Sequence, residues 1–120
     1  MTNTTTFLTA VKNDIQAFVL TKATYMAVGT DTTAASAADS ALGTEVKRKA
    51  IEESQTGTSD VIVSLLLPSA DANGNSITEV GAFDASSSGN MMSRGIYTAI
   101  AKTSDVDVWI DIEEQIDVTQ

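Results

Sequence analysis

Val106-Asp107-Val108-Trp109-Ile110-Asp111-Ile112-Glu113-Glu114-Gln115-Ile116-Asp117-Val118 alternates by parity. The even positions are Val106, Val108, Ile110, Ile112, Ile116 and Val118, interrupted by Glu114. The odd positions are Asp107, Trp109, Asp111, Glu113, Gln115 and Asp117. Successive side chains on a strand point to opposite faces, so one face is oily and the other mostly acidic. A helix would scatter the same apolar residues around its circumference. The stretch therefore predicts a long antiparallel strand, one face on a core and one towards water or a partner. It exceeds the usual strand of about five or six residues, so a bend is expected near Glu113-Glu114, for which a bulge is one device. Trp109 is out of place on the acidic face. A second sheet, the helix or another subunit should cover so large an apolar group.

Upstream, the chain continues as strands and turns. Asn90 to Ile100 and Ser76 to Asp84 read as strands joined by the turn Ser86-Ser87-Ser88-Gly89. Asp60 to Leu67 is too continuously apolar to be half exposed, so it should be a central or an interface strand, and Pro68 ends it. Asn73-Gly74 is a tight hairpin signal. Glu45 to Glu53 reads as one strand with the basic cluster Lys47-Arg48-Lys49 in its middle, and Ala23 to Gly29 as another. Between them, residues 30–43 form a loop of small and turn-forming residues, either a flexible connection or an ordered contact surface. At the other end, Phe7, Leu8, Val11, Ile15, Phe18 and Val19 recur at helical spacing, which predicts an amphipathic helix from Thr5 to Leu20. The expected fold is mainly β: an antiparallel β-sandwich of about six strands with one N-terminal amphipathic helix. It is a single domain over 1–120, with the helix in 1–22 and the sandwich in 23–120.

Composition narrows the chemistry. Sixteen acidic and seven basic residues give a formal net charge of −9, which repels nucleic-acid backbones and anionic membrane surfaces. Without Cys or His, disulfides, thiol nucleophiles and Cys/His zinc sites are excluded. No apolar run reaches the ~20 residues of a membrane span, and the N-terminus lacks a signal peptide's basic region. Nucleophile elbows and phosphate loops are absent, and one Trp with two Tyr is too few for the aromatic walls of a glycosidase cleft. No catalytic residue, cofactor or metal ligand is expected. Asp71-Ala72-Asn73-Gly74-Asn75 spaces oxygen groups as calcium loops do, but its Gly falls at the fourth position and Ala82 stands where the bidentate Glu belongs. The basic cluster is expected to pair across strands with acids such as Asp107, Asp111 and Glu113.

Several stretches together resemble small virion proteins of tailed bacterial and archaeal viruses. They are Ala27-Val28-Gly29-Thr30-Asp31-Thr32-Thr33-Ala34, Asp39-Ser40-Ala41-Leu42-Gly43-Thr44-Glu45, Arg48-Lys49-Ala50 and the run from Ala72 to Ala85. Gly89, Arg94 and Lys102-Thr103-Ser104-Asp105 continue the pattern. The resemblance implies a structural role in the particle, beside tail-fibre or baseplate components, with assembly in the host cytoplasm and no catalytic residues. The expected partners are copies of the chain and other virion proteins, with neither nucleic acid nor membrane. Expected assembly residues are Phe7, Val11, Ile15 and Phe18 on the helix, with Leu65, Leu66 and Trp109 on the sheet. Rival readings are a capsid vertex, turret or decoration protein, and a host-surface carbohydrate- or receptor-binding module whose loops lie at 31–41 and 71–75.

Overall fold

A computed structural model describes residues 5–116 of the chain, with side chains from residue 8 onward. One helix, α1 (Thr5–Lys22), precedes seven strands: β1 (Tyr25–Gly29), β2 (Glu45–Ala50), β3 (Glu53–Thr56), β4 (Asp60–Leu67), β5 (Asn75–Phe83), β6 (Met91–Lys102) and β7 (Val108–Gln115). They form two antiparallel sheets, one in the order β2-β1-β5-β6 and the other β3-β4-β7. The mainly β fold with a single N-terminal helix is the one the sequence pattern predicts.

The period of two builds the core. Val61, Val63, Leu65 and Leu67 of β4 are all fully buried, and Ile110 of β7 joins them. Met26, Val28, Ile77, Val80 and Ala82 of the larger sheet complete the same apolar cluster. The sheets thus pack through their inner faces. The outer face of the smaller sheet carries the alternate residues Ile62, Ser64 and Leu66 of β4 beside Trp109, Asp111 and Glu113 of β7.

Three sequence expectations need correction. Glu45 to Glu53 is two strands, not one. Ile51 N–H donates to Thr24 O beside the larger sheet, while Glu52 N–H donates to Ser64 O of the smaller one, so the chain changes sheets between them. The last strand is shorter than the alternation suggests: Val106 lies outside it and is exposed, and Asp117 and Val118 fall outside the described residues. It carries no bulge, for its register with β4 runs unbroken from Asp60↔Gln115 to Leu67↔Val108. Asn73-Gly74 is not a hairpin turn. It lies in the corner between β4 and β5, which belong to different sheets, and Gly74 supplies a positive φ of 83° there.

The helix spans the predicted residues but turns a different face inward. Gln16 is buried, and Val19, Leu20 and Ala23 pack on the core. Those positions follow Gln16 at intervals of three, four and seven, as one helical face requires. Ile15 and Phe18 lie one residue, about 100°, away from that face and are exposed.

Candidate functional site

The most constrained polar cluster lies on the outer face of the larger sheet. Glu79 sits in the middle of β5, and its carboxylate accepts hydrogen bonds from the N–H groups of Asp31 (3.1 Å), Gly43 (2.9 Å) and Thr44 (2.8 Å). Arg94, on the neighbouring β6, donates to Glu79 at 3.0 Å, Asp39 at 2.9 Å and Asp31 at 3.4 Å, and also to Thr33 O. The Glu79 side chain is wholly buried, and the Arg94 side chain is 4% exposed. Burial pushes the Glu79 carboxyl up, but the Thr44 and Gly43 N–H groups and Arg94 outweigh it and hold the group below its ordinary range. Asp31 is also held low, chiefly by the backbone and hydroxyl of Thr33. Gly29 lets the loop come this close: a Cβ there would run into Thr44 O and the Glu79 side chain.

This cluster is a staple. It fixes residues 30–44 on the sheet, so the loop is an ordered surface and not a flexible connection. Its acids and guanidinium satisfy one another, which leaves no group poised for proton transfer or nucleophilic attack. A second staple closes the opposite edge. Asp71 accepts from Lys49 at 2.8 Å and lies 3.7 Å from Lys47, while Arg48 pairs with Glu45 at 2.7 Å and stacks 3.6 Å over the Phe83 ring. The basic cluster does pair with acids, but not with Asp107, Asp111 or Glu113. β2 lies at the edge of the larger sheet, and the β7 acids belong to the smaller one. Both loops expected of a receptor-binding module, 31–41 and 71–75, are thereby tied down by the chain's own side chains.

The expected assembly residues divide. Leu65 is fully buried in the core, so it serves folding and is unavailable to a partner. Leu66 and Trp109 are register neighbours on the outer face of the smaller sheet, and Trp109 is 52% exposed. About half of the Trp109 surface stays open, and Tyr97 and Ile100 line a depression with the indole. A groove of about 260 Å³ runs beside it, lined by Glu53, Gln55, Ile62, Ser64 and Asp111. On the helix, Phe18 is 59% and Ile15 38% exposed, while Val11 is half-buried. The Phe7 side chain lies outside the described residues. The expected residues left outward fall in two places, one on the helix and one around Trp109, which the structure does not bring together; Met92, Ile100 and Val106 are exposed as well.

Sequence reasoning missed Gln16, Glu79, Arg94 and Lys102. Gln16 Nε2 donates to Gly57 O and Asp60 O, both at 2.9 Å, and so clamps the helix to the β3–β4 turn. Its signal was the apolar trio Val19, Leu20 and Ala23 at helical intervals behind it. Glu79 stood as one acid inside an apolar strand. Lys102 is 1% exposed and donates to Asn73 Oδ1 and Thr103 O, a pairing with no sequence signature.

The described chain is a two-sheet β domain with one N-terminal helix, loops held by its own side chains, and apolar side chains on its surface. Residues 5–117 match the family model described as Podophage GP4 fiber I protein gp80. The chain belongs to this family of phage fibre structural proteins, and is thus a virion component. Among curated proteins, none matches it. No helix among the described residues is long and apolar enough to cross a membrane.

Proposed function

We propose that this chain is a subunit of a tail fibre that works through contacts with further copies of itself and with neighbouring virion proteins. The observation that carries the reading is the helix. The domain holds it through Gln16, Val19, Leu20 and Ala23, and leaves Ile15 and Phe18 in water. An exposed Phe and Ile on an ordered helix, together with an exposed Trp on a sheet, are surfaces that association would bury. The elongated outline, 58 × 28 × 25 Å, suits a fibre component. Family membership favours the fibre over the capsid positions. The self-satisfied staples and the family together support a role without catalysis.

Solution mass decides it. Sedimentation or light scattering at micromolar concentration should give a multiple of the 12.5 kDa chain. A stable monomer at tens of micromolar would overturn self-assembly. Labelling of the particle should then find the chain on the tail and not on the shell.

A further inference from the structure

The two outward patches differ in charge as well as position. Of the seven basic residues, Lys47, Arg48, Lys49 and Arg94 are held in ion pairs within the chain, and Lys102 is buried. The remaining two, Lys12 and Lys22, are both on α1 and make no ion pair among the described residues. Lys22 lies 5.6 Å over the Phe18 ring, so one basic group borders the exposed apolar patch directly, and with Asp14 exposed one turn before Phe18 the helix carries two lysines against one acid. The carboxylates show the reverse. Glu53 and Asp111 line the groove beside Trp109, are both exposed, and take part in no salt bridge among the described residues; Glu113 lies further along β7, where it meets Asp60. The apolar-and-basic patch and the apolar-and-acidic patch are complementary.

They cannot meet within one chain. The helix is clamped at the start of β4 through Gln16, Gly57 and Asp60, whereas Trp109 pairs with Leu66 near its far end. Six residues of strand separate these points, roughly 20 Å. We infer that the helix of one copy docks on the Trp109 face of the next. Ile15 and Phe18 cover the indole and Leu66, and Lys12 and Lys22 approach Asp111 and Glu53. The contact is heterologous: each copy offers a helix to one neighbour and a sheet face to another. Repeated, it closes into a ring or continues as a filament. In a chain of net −9, this orientation brings each copy's lysines, which make no ion pair among the described residues, to exposed acids of its neighbour. The inference rests on the self-assembly proposed above and adds which surfaces meet.

Complementation between two variants of the full chain tests it. A helix variant carries Ile15→Ser and Phe18→Ser; a sheet variant carries Trp109→Ser. All three positions are exposed, and circular dichroism with thermal melting checks that both variants fold. Each variant alone should be monomeric under conditions where the unaltered chain assembles. Mixed in equal amounts they should form a one-to-one dimer, because the sheet variant's intact helix meets the helix variant's intact sheet face. A sheet variant that assembles like the unaltered chain overturns the inference and leaves self-assembly standing. Monomers that stay monomeric when mixed overturn it too, since they indicate like-to-like contacts. An unaltered chain that is itself monomeric overturns both. Fluorescence gives an independent reading, because Trp109 is the sole tryptophan. Emission of the unaltered chain should shift to the red on dilution through dissociation, and the helix variant should show the red-shifted emission at every concentration. Emission that does not respond to assembly would show the indole uncovered and overturn the inference. Reversing both helix lysines, Lys12→Glu with Lys22→Glu, should weaken assembly about tenfold; unchanged affinity would remove the charge argument.

Discussion

At the scale of single residues, Glu79 carries the most. Its carboxylate is buried and answers three N–H groups and one guanidinium. Glu79→Ala would strand Arg94 and the loop N–H groups together, and breaking a buried pair from one side costs about 3–5 kcal/mol. Urea denaturation should show that loss, and Arg94→Met should show a similar one. The double variant should lose much less than the sum, because the second change removes a charge already left without its partner. The same carboxylate sets a pH response. A carboxyl whose folded value is depressed contributes stability that is fully present above its unfolded value and is lost as pH falls through the folded one. For Glu79, with an ordinary value of 4.5, the loss begins below about that pH. Amide exchange at Asp31, Gly43 and Thr44, corrected for intrinsic rates, should be slow at pH 7 and accelerate on acidification before the core amides of β4 do. Uniform acceleration would show that the loop is held by something else. Asp60 runs the other way. A hydrogen bond with the Glu113 carboxyl and then burial hold it above its ordinary range, so its contribution is present at low pH and is lost as pH rises through the folded value.

At the scale of elements, the strands were legible and their junctions were not. Alternation in β7 and the apolar run of β4 follow from the pleat, which depends on near neighbours alone. That Glu45 to Glu53 changes sheets at Ile51-Glu52, and that Asn73-Gly74 turns a corner, depends on which strand lies alongside, a long-range fact that local pattern does not encode. The staples were hidden for the same reason: Arg94 and Asp39 are 55 residues apart in sequence. The helix shows how a correct element can carry the wrong face. The run Val11, Ile15, Phe18 reads as the buried stripe by hydrophobicity, yet the domain buries the stripe holding Gln16, whose amide satisfies two backbone carbonyls. Two substitutions separate the faces. Phe18→Asp should leave the melting temperature nearly unchanged, since the ring is 59% exposed, and should abolish assembly. Gln16→Ala removes both hydrogen bonds, leaving Asp60 O with the Gly57 N–H, and should destabilise the domain by about 1–3 kcal/mol in urea titration. A large loss of stability in the Phe18 variant would place that residue in the fold's own core.

At the scale of the whole molecule, shape and charge act together. The radius of gyration is 16.0 Å, against about 14 Å for a compact domain of this length, and the longest extent is 58 Å. The described chain is therefore elongated, and its longest elements are β6, 12 residues or about 40 Å, and α1, 18 residues or about 27 Å. Two copies that approach one another also bring together two charges of −9. This repulsion is long-ranged and is largely screened once the Debye length falls to about 10 Å, near 0.1 M salt. Lysine-carboxylate contacts at the docking surface act at shorter range and weaken with further salt. Assembly should therefore have a salt optimum. From 0.01 to 0.1 M sodium chloride the oligomer should tighten as the mutual repulsion is screened, and from 0.1 to 0.5 M it should loosen as the local pairs are. Sedimentation across that series, with Trp109 emission as a second probe, should show the maximum near 0.1 M. The Lys12→Glu, Lys22→Glu variant should lose the loosening limb and keep the tightening one. Monotonic tightening in the unaltered chain would mean that the contact is apolar alone, with the helix lysines outside it.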